Sequence, residues 1–174
     1  MSRIAIAPLM FWVILNPQWF TQHGFDVTWN YYCSALLFVV ASVTDFFDGY
    51  IARELDQITI AGKILDPLAD KMLIIAAFLG LMMQGVASPW AIYIIIVREL
   101  FITGLRTVSL SEGIDIAASW AGKVKTVAQM FAVGFLLMHW RGGEILLWIA
   151  VAITVYSGVE YLVGFARAYQ RNRT

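Results

Sequence analysis

Read for hydrophobic and polar positions alone, the chain falls into six apolar stretches, roughly 3–20, 29–53, 63–85, 89–109, 120–140 and 144–167. Each is close to the length of about 20 mostly apolar residues that a membrane-crossing helix requires. Polar or Gly/Pro-bearing punctuation separates them: "NPQW" with "TQHGFD", then "DQITIAG", "QGVASP", "SEGIDIAAS" and "HWRGG". No repeat, low-complexity segment or composition shift divides the chain, so residues 1–174 are expected to form one all-α domain of six transmembrane helices. The opening "MSRIAIAPLMFWVILNP" has one arginine and an apolar run, but no small-residue cleavage site follows, so it reads as a first membrane segment. The closing "RAYQRNRT" reads as a short, solvated basic anchor.

Composition sharpens the same picture. The chain has 174 residues, of which 60% are hydrophobic and 14% charged, and its mean hydropathy is +0.74. Soluble domains are nearer half apolar and a quarter charged, so a soluble globular class is disfavoured. Twelve basic and twelve acidic residues cancel, and no nucleic-acid partner is expected. The single cysteine, Cys33, excludes an intrachain disulfide or a cysteine metal cluster and reads as an apolar filler.

Six spans put both termini on one side. Arg3, Arg53, Lys63, Lys71, Arg98, Arg106, Lys123, Lys125, Arg167, Arg171 and Arg173 then lie on or nearer that side, with Arg141 opposite. Eleven basic residues against one make the rich side cytoplasmic under the positive-inside rule, placing the protein in the cell (inner) membrane with both termini inside. His23 and His139 fall at the outer ends and read as wet loop residues. Trp19, Trp29, Trp90 and Trp140 are interfacial candidates.

Against this apolar background, "DFFDGYIARELDQITIAGKILDPLAD" (45–70) places four aspartates in or beside hydrophobic stretches. Asp45, Asp48 and Ala52 share one face of the second span, and Gly62, Asp66 and Asp70 share one face of the third. A short turn joins these spans, so antiparallel packing is expected to converge the four carboxylates at the cytoplasmic ends. Ionised and unpaired, each would cost several kcal/mol to desolvate. Protonation relieves this, and so do hard divalent cations, for which carboxylate oxygens are the suitable ligands. Carboxylates from two helices can hold a metal pair about 3.5–4 Å apart, the arrangement of phosphoryl chemistry. A phosphate-bearing substrate is thereby implied. Gly49 and Gly62 leave room for a substrate beside the acids or serve helix packing, and Arg53 either meets a diphosphate or snorkels.

The stretch reads D-x2-D-G-x2-A-R-x8-G-x3-D-x3-D and resembles the signature of the CDP-alcohol phosphotransferases. The resemblance implies a six-helix membrane fold, usually homodimeric, and displacement of CMP from a CDP-linked donor with help from two Mg2+ or Mn2+ ions. It implies metal binding by Asp45, Asp48 and Asp66, with Asp70 sharing the metals and acting as general base. Asp45, Asp48, Gly49, Ala52, Arg53, Gly62 and Asp66 would hold CDP. The spacing alone does not choose Asp70 over Asp66 as base. "RELFITGLRT" (98–107), "GKVKTVAQM" (122–130) and "TVYSGVEYL" (154–162) resemble stretches of the bacterial phosphatidylglycerophosphate synthases. That subfamily takes CDP-diacylglycerol and glycerol 3-phosphate, and Arg106, Lys123 and Lys125 would bind the acceptor phosphate. Family members usually carry an upstream Asn-Pro and Thr before an arginine like Arg3, so a start at "MSR" implies a truncated or short first helix.

Blander readings compete. Lys123 and Lys125 also suit positive-inside anchors. Lys71 either tunes the acidic cluster or points to the interface. Arg98 and Glu99 are neighbours expected not to face one another on a helix, and an ion pair of Arg98 with Glu160 competes with a functional role. Among functions, another acceptor in the same family is the nearest rival (phosphatidylglycerol, serine or an inositol phosphate). A prenyltransferase is disfavoured because its two acidic motifs lie on well-separated helices, whereas these four aspartates fall within 26 residues. A cation transporter is disfavoured because its site would more often use discontinuous helices at mid-membrane.

Overall fold

The computed structural model describes residues 2–54, 60–111 and 120–173, with side chains at 5–44, 71–109 and 120–170. Seven α-helices account for the described residues: α1 (Ser2–Leu15), α2 (Pro17–Gln22), α3 (Thr28–Glu54), α4 (Ile60–Met83), α5 (Pro89–Ser111), α6 (Trp120–Leu137) and α7 (Gly143–Arg173). Five match the apolar stretches after the first within a few residues. The first stretch departs from expectation by breaking into α1 and α2.

Proline chemistry explains the break. Pro17 has no N–H to continue the helix, and it pushes the preceding residue out of the α region. Asn16 accordingly sits at φ −119° and ψ 54°, and Pro17 starts α2 in the first-turn position where a missing N–H costs nothing. The carbonyls stranded at the end of α1 find side-chain amides. Asn16 Nδ2 donates to Trp12 O at 2.8 Å, Asn30 Nδ2 to Val13 O at 2.5 Å, and Gln84 Nε2 to Ile14 O. Two of these donors come from α3 and the end of α4, so the break also fastens three helices together.

α1 packs against both α3 and α4, α6 runs along α7, and α5 also lies on α7, while α4 bridges to α5 and α6. Met10 and Ile14 of α1, Phe78 and Leu81 of α4 and Ile92 and Ile95 of α5 are almost completely buried. Among the described residues, α3 and α4 touch directly but share much of their packing through α1, a looser pairing than a bare antiparallel hairpin. Gly80 lets α1 come close: a Cβ there would stand 2.8 Å from Ile14 Cγ2. Gly80→Leu is therefore expected to force the two helices apart, at a cost of about 1–3 kcal/mol or more. A lowered thermal midpoint in detergent checks this, and an unchanged midpoint contradicts it.

The outside is as apolar as the inside. Leu36, Val39 and Val43 on α3, Leu100 and Phe101 on α5, and Ile149 and Val159 on α7 are exposed. In water such faces drive association; in lipid they need no partner. Gly143–Gln170, 28 residues with a mean hydropathy of 1.8 in its most apolar window, is long and apolar enough to cross a membrane. Trp19, Trp29, Trp90 and Trp140 are all exposed, at the end where α3, α5 and α7 begin. His23 and His139 are exposed in turns at this end; His23 packs on Trp19 and His139 stacks on Tyr31, with ring centroids 3.8 Å apart.

Candidate active site

Chain direction sets which helix ends meet. α3 is described as far as Glu54 and α4 from Ile60, and α5 as far as Ser111 and α6 from Trp120, so these four ends lie toward one side. Asp45, Asp48, Gly49, Ala52 and Arg53 lie in the closing turns of α3, and Gly62, Asp66 and Asp70 in the first half of α4. Their side chains lie outside the described ones. The helix backbone at these positions keeps the spacing that puts each set of acids on one face. The donor chemistry, carboxylates alone on two touching helices, suits hard divalent cations and offers nothing to soft ones. Among the described residues, no group of three or more His, Cys, Asp or Glu side chains forms another metal cluster.

Immediately after Asp70, the described side chains form a polar network inside the apolar bundle. Lys71 Nζ donates to Thr103 Oγ1 of α5, and Thr103 Oγ1 donates to the Glu99 carbonyl at 2.6 Å. The Glu99 carboxylate takes two cations on one oxygen, Lys125 Nζ at 2.5 Å and Arg98 Nη1 at 3.2 Å. Arg98 Nη2 reaches across to Ser157 Oγ of α7 at 2.8 Å. One turn further along α6, Gln129 Nε2 donates to Thr154 Oγ1 at 3.0 Å, with both residues buried. Four helices are thus joined by hydrogen bonds between buried and half-buried side chains, where such bonds count for more than on the surface.

One expectation needs correction. Arg98 does not pair with Glu160, which is exposed; it pairs with its sequence neighbour Glu99 and with Ser157. Arg98 and Glu99 point about 100° apart around the helix axis, yet the long arginine stem folds back across that angle. Gly158 makes the room, since a Cβ there would lie 3.1 Å from Arg98 Nε. The three candidate acceptor residues differ in exposure. Arg106 and Lys123 are exposed, whereas Lys125 is only 9% exposed and held by Glu99. Two residues on a helix point to nearly opposite sides, so one lysine of "GKVK" faces out and the other in.

Glu99, Thr103 and Ser157 are participants that sequence reading did not assign. The signal was present as polar residues at helical spacing inside apolar stretches: Glu99 with Thr103, Lys125 with Gln129, and Thr154 with Ser157.

On the other side of α6, an apolar groove of about 800 Å³ runs between α3 and α6. Tyr32, Leu36, Val39 and Val43 form one wall and Phe131, Gly134 and Met138 much of the other. Its α3 wall reaches Ser42 and Val43, within a turn of Asp45.

The sequence profile of the CDP-alcohol phosphatidyltransferases matches residues 1–156. The chain is 41% identical over 172 residues to the CDP-diacylglycerol–glycerol-3-phosphate 3-phosphatidyltransferase of Bacillus subtilis strain 168, covering 92% of this chain and 89% of that one. It is 39% identical over 165 residues to the Escherichia coli K12 protein of the same name, covering 88% and 89% of the two chains. The like-named protein of Rickettsia bellii is 40% identical over 136 residues, covering 73% and 75%. With a matched profile over most of its length and relatives aligned nearly end to end, the chain belongs to the CDP-alcohol phosphatidyltransferase family.

Proposed function

We propose that the protein transfers the phosphatidyl group of CDP-diacylglycerol to glycerol 3-phosphate, giving phosphatidylglycerol phosphate and CMP. The observation that carries this reading is identity near 40% over most of the chain to relatives named for that reaction, with the whole 45–70 aspartate signature in place. The protein works as a single domain of six membrane spans, the first one broken at Pro17, in the inner membrane. Its termini and active site face the cytoplasm, as the eleven-to-one distribution of basic residues favours. A homodimer is the expected assembly by family resemblance.

Asp45, Asp48 and Asp66, with Asp70 sharing, would hold two Mg2+ or Mn2+ ions that neutralise the diphosphate and stabilise departing CMP. Gly49, Ala52, Arg53 and Gly62 line the cytidine and diphosphate pocket beside these acids. Asp70 takes the proton of the glycerol 3-phosphate hydroxyl, directly or through a water. The freed oxygen bonds to the β-phosphorus of the donor, the bond from that phosphorus to the bridging oxygen breaks, and CMP leaves with the electron pair. Of the acceptor-phosphate candidates Arg106, Lys123 and Lys125, the inward-facing Lys125 receives the phosphate as a cation.

The groove between α3 and α6 holds an acyl chain of the donor. It is apolar, open to the lipid side, and continuous along α3 with the turn that precedes Asp45. A Cβ at Gly134 would meet no heavy atom within 4 Å, so a larger side chain there fills the groove without forcing helices apart. Gly134→Phe is expected to raise the KM for long-chain CDP-diacylglycerol about tenfold, the loss of a couple of buried methylenes' worth of contact. KM for glycerol 3-phosphate stays the same. Equal use of the long-chain donor by the variant contradicts the placement.

Acceptor choice is tested by CMP release from CDP-diacylglycerol with a panel of alcohols. Release with glycerol 3-phosphate alone supports the proposal. Release with phosphatidylglycerol, serine or an inositol phosphate in its place would keep the chemistry and change the acceptor.

A further inference from the structure

Lys71, Arg98 and Lys125 gather around Glu99, linked by the hydrogen bonds described above. Among the described side chains, Glu99 is the carboxylate that meets this group of cations, bonding Arg98 and Lys125 directly. Cations gathered at a largely buried site suit an anionic ligand, and a phosphate is one that accepts charge-assisted hydrogen bonds from them. The network also has a fixed place relative to the chemistry, because its α4 member, Lys71, follows Asp70 in the chain.

Within the network, Lys125 is the member whose aim most needs fixing. A lysine ammonium is a point charge on a flexible four-carbon stem, with none of the preset fork of an arginine. Glu99 draws that ammonium to one oxygen at 2.5 Å. Arg98 binds the same oxygen and is anchored to Ser157 Oγ, lying against the bare backbone at Gly158. An ammonium carries three hydrogens, and Glu99 takes one of them.

We propose that Glu99 is a positioning residue for the acceptor: it aims Lys125 at the phosphate of glycerol 3-phosphate, and the Ser157–Gly158 step of α7 holds Arg98 so that it can. The inference rests on the reading of Lys125 as an acceptor-phosphate residue. It assigns no chemical step to Glu99, which acts only through Lys125.

The test is steady-state CMP release by the full-length enzyme in detergent, varying each substrate against saturating amounts of the other. Lys125→Met is expected to raise the KM for glycerol 3-phosphate about tenfold or more, as loss of a charge-assisted contact does. Glu99→Gln should raise it in the same direction by about fivefold, with the KM for CDP-diacylglycerol unmoved, and Glu99→Asp should restore part of the loss. Adding Glu99→Gln to Lys125→Met should change nothing further, because the residue acted on is already gone. Gly158→Ala, which crowds Arg98 while removing no charge, should reproduce the effect at about threefold and serves if Glu99→Gln does not fold.

If Lys125→Met leaves the glycerol 3-phosphate KM unmoved, the acceptor reading of Lys125 falls, and this inference with it. If Lys125→Met moves it but Glu99→Gln and Gly158→Ala do not, positioning alone is overturned. Additive effects in the double variant, or equal rises in both KM values, also overturn positioning and leave Glu99 a purely structural counter-charge.

Discussion

Asp70→Asn is expected to abolish CMP release, with turnover falling by about a thousandfold or more while the helical content stays unchanged. Asparagine matches aspartate in shape but cannot accept the acceptor's proton, and it withdraws one negative charge from the metal site. Asp70 stands in α4, one residue before Lys71, at the junction of the acidic stretch and the Glu99 network. Helical content by circular dichroism and elution on gel filtration establish that the variant is folded. Stopped-assay measurement of CMP then gives the rate. Asp66→Asn is expected to be equally inactive through the metals. A distinction between the two lies in metal affinity: Asp66→Asn should need far more Mg2+ for any residual rate, whereas Asp70→Asn should remain slow at all Mg2+ concentrations. Wild-type turnover in either variant contradicts the assignment of the site.

Stripping divalent cations is expected to have a comparable effect. With a chelator present, CMP release should fall to background, and Mg2+ or Mn2+ should restore it. The reason lies in charge. Four carboxylates on two touching helices and the diphosphate of the donor are all negative, and without cations they repel one another. Donor binding, and not only turnover, should therefore require metal. Retention of CDP-diacylglycerol by the metal-free protein at unchanged affinity would contradict that. The cationic network around Glu99 is no substitute, since Arg98 and Lys125 already share the Glu99 carboxylate and Lys71 is bonded to Thr103 of α5.

Much of this was legible in the chain. The apolar stretches gave the helices, because a span long enough to cross lipid can satisfy its backbone only by coiling. The one division missed, α1 from α2, was written in "NP", but a length criterion for spans runs straight across a proline break. The acidic signature was legible because its meaning lies in spacing along two helices, which sequence displays directly. The network was not, because its pairs are chosen by packing. Arg98 reaches Glu99 only where Gly158 vacates the space, and that glycine lies 60 residues further along the chain. Likewise "GKVK" shows two lysines, and only the seating of α6 against α5 and α7 turns Lys125 inward and Lys123 outward.

The most direct measurement follows the transferred group itself. Purified protein in detergent is given CDP-diacylglycerol, Mg2+ and radiolabelled glycerol 3-phosphate, and label is counted in the solvent-extracted lipid while CMP is counted in the aqueous phase. The expected result is label entering lipid in equal amounts to the CMP released, dependent on both substrates and on metal. CMP release without label in the lipid, from folded protein, would contradict phosphatidyl transfer to glycerol 3-phosphate.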